Sequence, residues 1–269
     1  MNAMTPSSAL DRYRAFLLDI DGVLVRGGEP ISGAAEAVEA LQVRGQVLLL
    51  SNNSSRSRAG VAKRLGDLGF AFKPEAIVPS SYVVARYLLE TEGPTAVWTI
   101  GEEGLRAELE LAGHRIVSPG EAEWLVVGIC WGFNYAMLAE ALSFLEGGGR
   151  YIATNTDATF PTPEGPKPGA GAVVGAIQGM GFQPHAVIGK PSPIAYRIAL
   201  EQVDAPMEAV LMIGDRLETD ILGARDSGID SVLVLSGISS REDIERQGIR
   251  PTWLAEDLAA LARGKLHKP

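Results

Sequence analysis

The sequence predicts an α/β protein with a doubly wound, parallel-sheet core and an inserted α/β domain. Short apolar runs, of the kind that form fully buried strands, alternate along the chain with amphipathic helix patterns. Polar residues follow several of these runs at the point where each strand ends. The alternation also stops near residue 93 and then restarts, which indicates that a second domain interrupts the first.

The first part of the chain contains a complete strand–helix–strand unit. An apolar run ends at residue 18, a helix is predicted over residues 32–43 with Ser32 as its cap, and a second buried strand covers residues 46–50. Such a unit has parallel strands and a right-handed crossover. The same pattern continues with elements predicted at residues 57–68, 76–78 and 80–90. Together these elements predict a Rossmann-like core domain.

The inserted domain is predicted over residues 94–184, between core segments at residues 1–93 and 185–269. Its predicted strands and helices lie at residues 96–100, 102–111, 124–129, 134–145, 151–154 and 169–178. A loop rich in Pro and Gly follows its last strand, over residues 155–169. The core pattern then resumes, with elements predicted at residues 193–203, 209–213, 218–226, 231–235 and 257–263.

The bulk composition excludes several classes of protein. Hydrophobic residues make up 46% and charged residues 21% of the 269 residues, as in ordinary soluble proteins. A formal charge of -9 argues against general binding to nucleic acid or to an anionic membrane. A single cysteine, Cys130, excludes an intrachain disulfide and a cysteine-cluster metal site. No apolar run has the length of a membrane span and residues 1–11 lack the apolar core of a signal peptide, so we expect a cytoplasmic protein.

The first apolar run ends in two carboxylates, Asp19 and Asp21, spaced one residue apart and followed by Gly22. Glycine allows a sharp turn directly after the strand. Taken alone, the tetrapeptide Asp-Ile-Asp-Gly is equally consistent with a solvated polar turn and with a functional site at the carboxyl end of a strand.

Later segments place further polar groups at strand ends or helix starts. The complete set is Asp19, Asp21, Ser51, Asn52, Asn53, Lys190, Asp215 and Asp220. Because the carboxyl ends of parallel strands lie on one edge of a sheet, these groups can converge although they are distant in sequence. Clustered acids repel one another, and the usual reason to assemble them is a hard cation such as Mg²⁺. A carboxylate can also act as a nucleophile toward phosphorus.

Four motifs in this order resemble those of a known family. They are Asp19-Ile20-Asp21-Gly22-Val23, Ser51-Asn52-Asn53-Ser54-Ser55, Ile188-Gly189-Lys190-Pro191-Ser192-Pro193 and Gly214-Asp215-Arg216-Leu217-Glu218-Thr219-Asp220. The chain is similar to phosphatases of the haloacid dehalogenase superfamily from about residue 14 to residue 263. The resemblance is to the subfamily of p-nitrophenyl, phosphoglycolate and pyridoxal-phosphate phosphatases, whose inserted α/β cap domain lies between the second and third motifs.

This resemblance implies a Mg²⁺-dependent phosphatase that acts on a small phosphorylated metabolite. It implies that Asp19 attacks the phosphorus, and that Asp21 protonates the leaving oxygen and then activates water. It also implies that Mg²⁺ is held by the carboxylates of Asp19 and Asp215 and the backbone carbonyl of Asp21, with Asp220 behind them.

The same resemblance implies that Ser51, Asn52 and Asn53 donate hydrogen bonds to the phosphoryl oxygens. It also implies that Lys190 neutralises the charge of the phosphate. The alternative for Lys190 is a solvated surface lysine, and for Asp220 it is an acid in the first turn of a helix, where the helix dipole favours it.

Substrate choice is expected to depend on the cap. There Asn155, Asp157 and Phe160 are candidates for contact with the leaving group, although a rigid turn rich in Pro and Gly is the alternative. Cys130 stands where relatives often carry an acid, so the substrate does not follow from the resemblance. A homodimer through the cap is a further expectation. Two other functions stay open: a dehalogenase, which needs neither Asp21 nor a metal, and a non-catalytic phosphate-binding protein on the same fold.

Overall fold

A computed structural model describes residues 9–162 and 164–269. The expectation about residues 1–11 therefore falls largely outside the described residues. The described strands are β1 (Ala15–Leu18), β2 (Val25–Arg26), β3 (Glu29–Pro30), β4 (Gln46–Ser51), β5 (Ile77–Pro79), β6 (Ala96–Ile100), β7 (Arg115–Ile116), β8 (Trp124–Val127), β9 (Arg150–Ala153), β10 (Thr159–Thr162), β11 (Gly165–Pro168), β12 (Ala186–Val187), β13 (Val210–Gly214), β14 (Asp230–Val234) and β15 (Trp253–Ala255).

The described helices are α1 (Ala34–Arg44), α2 (Arg58–Asp67), α3 (Ser80–Glu92), α4 (Glu103–Leu111), α5 (Tyr135–Glu146), α6 (Ala170–Gln178), α7 (Pro193–Leu200), α8 (Leu222–Asp226), α9 (Arg241–Gln247) and α10 (Leu258–Ala262). Within the described ranges, every helix is too short or too polar to cross a membrane.

Two compact units make up the chain. The first unit contains the residues up to 50, residues 65–72 and residues 196–269, and the second contains residues 51–64 and 73–195. The predicted domain boundaries lie at residues 93 and 184, whereas the second unit includes the segment after β4 and the start of α7.

In the first unit, five parallel strands lie side by side in the order β15-β14-β13-β1-β4. Leu18 at the end of β1 is level with Ile213 of β13 on one side and with Leu49 of β4 on the other. The strands are apolar and buried on both faces, as expected for a parallel sheet covered by helices. The parallel arrangement brings the residues that follow β1, β13 and β14 to one edge, as the sequence predicts.

Helix α1 begins differently from the prediction. Gly33, and not Ser32, occupies its N-cap position, with a backbone φ of +75° that favours glycine. A Cβ atom on Gly33 would also lie 3.1 Å from the Cβ of Ala259, because α1 packs against α10. The close packing of the two helices therefore decides where α1 begins.

The second unit is built on a separate parallel sheet with the order β12-β9-β8-β6-β7. Its core consists of large apolar side chains packed between the sheet and its helices, including Trp98, Leu125, Tyr151, Val174 and Ile177. Strand β12 pairs with β9, so this sheet extends past residue 184, where the sequence placed the end of the inserted domain.

The predicted loop at residues 155–169 contains an antiparallel hairpin of β10 and β11. Two prolines, Pro161 and Pro166, lie opposite each other in this hairpin. Proline is depleted in strands and there is no apolar alternation here, so the sequence gives no strand signal. Similarly, the predicted helix at 218–226 is a π-helical turn, Leu217–Ile221, followed by the short helix α8.

Candidate active site

Three of the predicted acids converge in the first unit. Carboxylate oxygens of Asp19, Asp215 and Asp220 all lie within 4.8 Å of one another, and we call these three residues the acid cluster. Asp19 follows β1 and Asp215 follows the adjacent parallel strand β13, which explains the convergence. Their exposed fractions are 9%, 1% and 0%. Asp220 lies in the first turn of a helical segment, the position that the alternative named, and it is also fully buried within the acid cluster.

The chemistry of the acid cluster suits a hard divalent cation. Ionised carboxylates that are buried this close together repel one another, and burial raises the cost of their charge. A set of oxygen donors without nitrogen or sulfur is the set that Mg²⁺ or Ca²⁺ prefers. The described residues of the acid cluster thus fit the cation that the sequence predicts.

The side chain of Asp215 sits in a space that two glycines keep open. A Cβ atom on Gly22 would lie 2.3 Å from Asp215 Oδ2, and one on Gly237 would lie 1.9 Å from the same atom. The backbone N–H of Ile238 donates a hydrogen bond of 2.8 Å to Oδ2, which fixes the carboxylate. The Ser236 hydroxyl donates to the carbonyl of Gly22 at 2.7 Å and so links the residues next to Gly237 to the turn at Gly22.

Sequence reasoning missed this second glycine segment, residues 236–239. A signal was present: Ser236-Gly237-Ile238-Ser239 follows an apolar run, and the strand formed by that run is parallel to β13. It therefore ends at the same edge as Asp215. Ser239 continues the contact, since its N–H donates to the Asp215 carbonyl and its hydroxyl accepts from the N–H of Leu217.

Asp220 is held by the π-helical turn and by a buried tyrosine. The N–H of Arg216 donates to Asp220 Oδ2 at 3.1 Å. The hydroxyl of Tyr196 donates to the backbone carbonyls of Asp220 at 2.9 Å and of Thr219 at 3.2 Å. Burial raises the pKa of Tyr196 well above its ordinary value, and the nearby charges of Asp220 and Asp19 raise it further. Tyr196 therefore stays a neutral hydrogen-bond donor.

The two acids of the first motif differ in burial. Asp19 is buried and its N–H donates to Ile213 O at 2.9 Å, whereas Asp21 is half-buried. The turn between them and β2 is fixed by Gly22, which has a φ of +85° and donates its N–H to Val25 O at 2.7 Å. The two carboxyl groups therefore lie in different environments, one buried and one half-buried.

In the second unit, the predicted residues Ser51, Asn52 and Asn53 begin a segment that we call the polar loop, residues 51–58. The N–H of Asn53 donates to Ser51 Oγ at 3.2 Å. Asn53 Oδ1 accepts from the N–H and the hydroxyl of Ser55, both at 3.0 Å, and so shapes the turn. Because Ser51 Oγ accepts in its bond with Asn53, that bond does not use the hydroxyl hydrogen of Ser51.

The polar loop meets two other predicted segments within this unit. The Asn52 side-chain amide donates to both carboxylate oxygens of Asp157, at 3.2 and 3.1 Å, and to the backbone carbonyl of Lys190 at 3.0 Å. The Asn155 amide donates to the backbone carbonyl of Asn52 at 2.7 Å. Lys190 is 4% exposed, which excludes the alternative of a solvated surface lysine.

Phe160, the third predicted cap residue, lies on β10 and contacts Trp131. The centroids of the two rings are 5.3 Å apart and their planes are inclined by 58°. Trp131 is 57% exposed and was not predicted as a site residue. Its neighbour Cys130 is half-buried, and burial raises the pKa of its thiol, so the group stays protonated near neutral pH.

Two family models match the chain, a haloacid dehalogenase-like hydrolase model over residues 16–115 and a related hydrolase-like model over residues 187–261. A dihydroxyacetone phosphatase of Corynebacterium glutamicum is 35% identical over 250 residues, which cover 92% of this chain and 90% of the relative. The chain belongs to the haloacid dehalogenase-like hydrolase family.

Solved structures of this hydrolase family have the same fold. A p-nitrophenyl phosphatase from Archaeoglobus fulgidus is 37% identical with a TM-score of 0.87, covering 93% of this chain and 98% of its own. A glycerol phosphate phosphatase from Mycobacterium tuberculosis in complex with magnesium is 35% identical, also with a TM-score of 0.87. The match covers 94% of this chain and 78% of that protein. The predicted α/β fold of a capped haloacid dehalogenase-like hydrolase is confirmed.

Proposed function

We propose that this hydrolase is a Mg²⁺-dependent phosphatase that cleaves a small phosphorylated metabolite through an aspartyl-phosphate intermediate. The observation that carries the proposal is the acid cluster, in which three buried carboxylates meet at the end of two parallel strands. The three similar proteins described above are named as phosphatases, and one of them is in complex with magnesium. Neither a dehalogenase nor a non-catalytic binding protein would need this oxygen-donor cluster together with Asp21.

The residues that would hold Mg²⁺ are Asp19, Asp21, Asp215 and Asp220. Asp19 and Asp215 would supply carboxylate oxygens and Asp21 its backbone carbonyl, while Asp220 supports them directly or through water. When bound, Mg²⁺ would offset the negative charge of the carboxylates and of the substrate phosphate.

In the first step, a carboxylate oxygen of Asp19 attacks the phosphorus, and the bond between phosphorus and the leaving oxygen breaks. Asp21 donates its carboxyl proton to that oxygen, so the alcohol leaves neutral and Asp19 carries the phosphoryl group.

In the second step, Asp21 is a carboxylate and takes a proton from a water molecule. The water oxygen attacks the phosphorus of the aspartyl phosphate, and the bond from phosphorus to Asp19 breaks. Inorganic phosphate leaves, and both carboxyl groups return to their starting protonation states.

For the phosphoryl group we assign Ser51, Asn53 and Lys190 as ligands, with Asn52 beside them. The bond from the Asn53 N–H does not use the hydroxyl hydrogen of Ser51, which would donate to a phosphoryl oxygen, and the Lys190 ammonium supplies the positive charge that an acidic protein needs to bind an anion. The side-chain amide of Asn52 already donates to Asp157 and Lys190, so any donation from Asn52 to phosphate would come from its backbone N–H.

Of the three cap candidates that the sequence gives, Asn155, Asp157 and Phe160, we assign Asn155 and Phe160 to the leaving group. Small phosphorylated metabolites are the substrate class that the names of the relatives support. We further propose a cytoplasmic location, which the single cysteine supports, and a homodimer through the cap, which the family resemblance supports.

Hydrolysis of p-nitrophenyl phosphate tests the proposal. We expect turnover with Mg²⁺, loss of turnover in EDTA, and recovery when Mg²⁺ is added in excess. Asp215→Asn should lower kcat/KM by about 100-fold or more, since it removes a carboxylate from a buried cation site. Asp226→Asn is the matched control, because Asp226 is an exposed acid on α8. Full activity of the wild type in EDTA would contradict the metal requirement.

A further inference from the structure

The polar loop runs along the carboxyl edge of the second unit's sheet. It contacts the segments that follow four of the five strands: the carbonyl of Ser55 accepts from Gly104 N after β6, and Ser54 Oγ accepts from Ile129 N after β8. Asn52 contacts Asn155 after β9 and Lys190 after β12. The edge of this sheet therefore determines the shape of the polar loop.

Glycines allow this close approach at three points. A Cβ atom would lie 2.1 Å from the backbone of Arg56 if placed on Gly104, and 2.7 Å from Ser54 Oγ if placed on Gly128. On Gly189 it would lie 2.5 Å from Asn52 Oδ1. Contacts under 3 Å are shorter than carbon atoms tolerate, so the sheet edge has no room for a side chain at these positions.

Asn52 receives hydrogen bonds from the segment at residues 155–157 and also donates to it. Asn155 donates its amide to the backbone carbonyl of Asn52, and Asp157 accepts from the side-chain amide of Asn52. The N–H of Asp157 donates to Asn155 Oδ1 at 3.1 Å, which fixes the two residues relative to each other. Backbone and side chain of Asn52 are thus held by one short segment.

The bond between Asn52 and Asp157 is the strong one in this set. A carboxylate acceptor makes a hydrogen bond roughly twice as strong as a neutral acceptor does. It also uses the amide hydrogen that the Lys190 carbonyl does not use, so the side-chain amide has no hydrogen left for a phosphoryl oxygen.

We propose that Asp157 is a positioning residue, which fixes Asn52 and thereby the adjacent Ser51 and Asn53, and does not bind the leaving group. The inference rests on the proposed phosphatase function and replaces the leaving-group contact that the sequence predicts for Asp157. A residue that positions the phosphate ligands affects every phosphate ester equally, whereas a residue that contacts the leaving group affects esters according to their alcohol.

The kinetic experiment compares three esters of unlike alcohols: p-nitrophenyl phosphate, glycerol 3-phosphate and dihydroxyacetone phosphate. We expect Asp157→Ala to lower kcat/KM by the same factor for each, about 10-fold to 100-fold, as for loss of a charged hydrogen bond. Asp157→Asn keeps an acceptor oxygen and should recover part of that loss. Glu164→Gln, an exposed acid on the hairpin turn, is the control and should match the wild type.

A double-mutant cycle tests whether Asp157 acts through Asn52. Once Asn52→Ala is present, adding Asp157→Ala should cost little more, because the shared bond is already absent. Losses that multiply, or a loss confined to one ester, would overturn the inference while leaving the phosphatase function intact. Inactivity of the wild type toward all three esters would instead contradict the proposed function.

Hydrogen exchange gives a result that does not depend on activity. In Asp157→Ala, amides of the polar loop should exchange faster than in the wild type or in Glu164→Gln, because the loop has lost a fixed contact. Unchanged exchange in residues 52–56 would overturn the positioning role even if activity fell.

Discussion

At the scale of single residues, the acid cluster depends on neutral donors that surround it. Asp215 accepts from a backbone N–H, and Asp220 from another, while the Tyr196 hydroxyl holds the carbonyls of the turn that carries Asp220. A neutral phenol is suited to this place, because a further negative charge beside Asp19 and Asp220 would be strongly unfavourable.

Replacing Tyr196 tests this support. Tyr196→Phe removes the hydroxyl donor of the Asp220 and Thr219 carbonyls at a fully buried site, while Thr219 O keeps the N–H of Leu222, so we expect a loss of about 0.5–1.5 kcal/mol in the free energy of unfolding. The turn holding Asp220 should also loosen and raise the Mg²⁺ concentration needed for half-maximal activity. Urea unfolding and a Mg²⁺ titration measure both effects. Tyr151→Phe is the control, since its hydroxyl bonds to Phe182 O within the second unit. If Tyr196→Phe had the free energy of unfolding and the Mg²⁺ requirement of the wild type, Tyr196 would not be needed to hold the turn at Asp220.

The sequence predicted the residues of the acid cluster but not the residues that hold them in position. Asp19 and Asp215 follow apolar runs, so their strand ends are visible in the sequence, and Asp220 lies in a motif a few residues further on. Tyr196 lies inside an ordinary helix pattern, and its contact with the turn at Asp220 comes only from the packing of α7. Likewise, the bond from Asn52 to Asp157 joins residues 105 positions apart, which no local pattern predicts.

At the scale of elements, the space around the acid cluster is set by backbone that approaches without side chains. Gly22 belongs to the turn after β1 and Gly237 to the segment after β14, and both border Asp215. Positive φ at Gly22 adds a conformational reason for glycine there, whereas at Gly237 the close approach is the reason given by the structure.

A methyl group at Gly237 should therefore displace Asp215. We expect Gly237→Ala to reduce kcat at least about tenfold and to lower the melting temperature, because a buried contact of 1.9 Å forces backbone or carboxylate to move. Gly120→Ala is the matched control, since a Cβ atom there meets no neighbour within 4 Å. Equal activity of the two variants would show that the segment at residue 237 is not part of the site.

The strands and helices that the sequence predicted are those with strong apolar patterns. Strand β6 was predicted with its observed bounds, Ala96–Ile100, because it is a continuous buried run bounded by Thr95 and Gly101. The hairpin of β10 and β11 and the helix α9 carry few apolar residues and are stabilised by local bonds, in α9 by a capping box between Ser240 and Asp243. Such elements show little periodicity of apolar residues, so they are difficult to predict from the sequence.

At the scale of the whole molecule, the sequence predicted a parallel-sheet core interrupted by an α/β insertion, and the structure has two parallel sheets in two compact units. The units divide the chain after residues 50 and 195, whereas the predicted boundaries lie at residues 93 and 184. The roles of the site residues stay a prediction. The central role, that of Asp19 as the nucleophile, is tested by trapping the phosphoryl group on the enzyme.

Trapping the phosphoryl group on Asp19 is the most direct test. Asp21→Asn removes the base of the second step, while p-nitrophenolate leaves without needing a proton, so the phosphoryl enzyme should accumulate. After a rapid quench and trypsin digestion, the peptide of residues 15–26 contains Asp19 as its single carboxylate side chain in this variant. We predict one phosphoryl group on that peptide, located at Asp19 and released by hydroxylamine. A phosphoryl group on another residue, or undiminished steady turnover without any labelled peptide, would contradict the account.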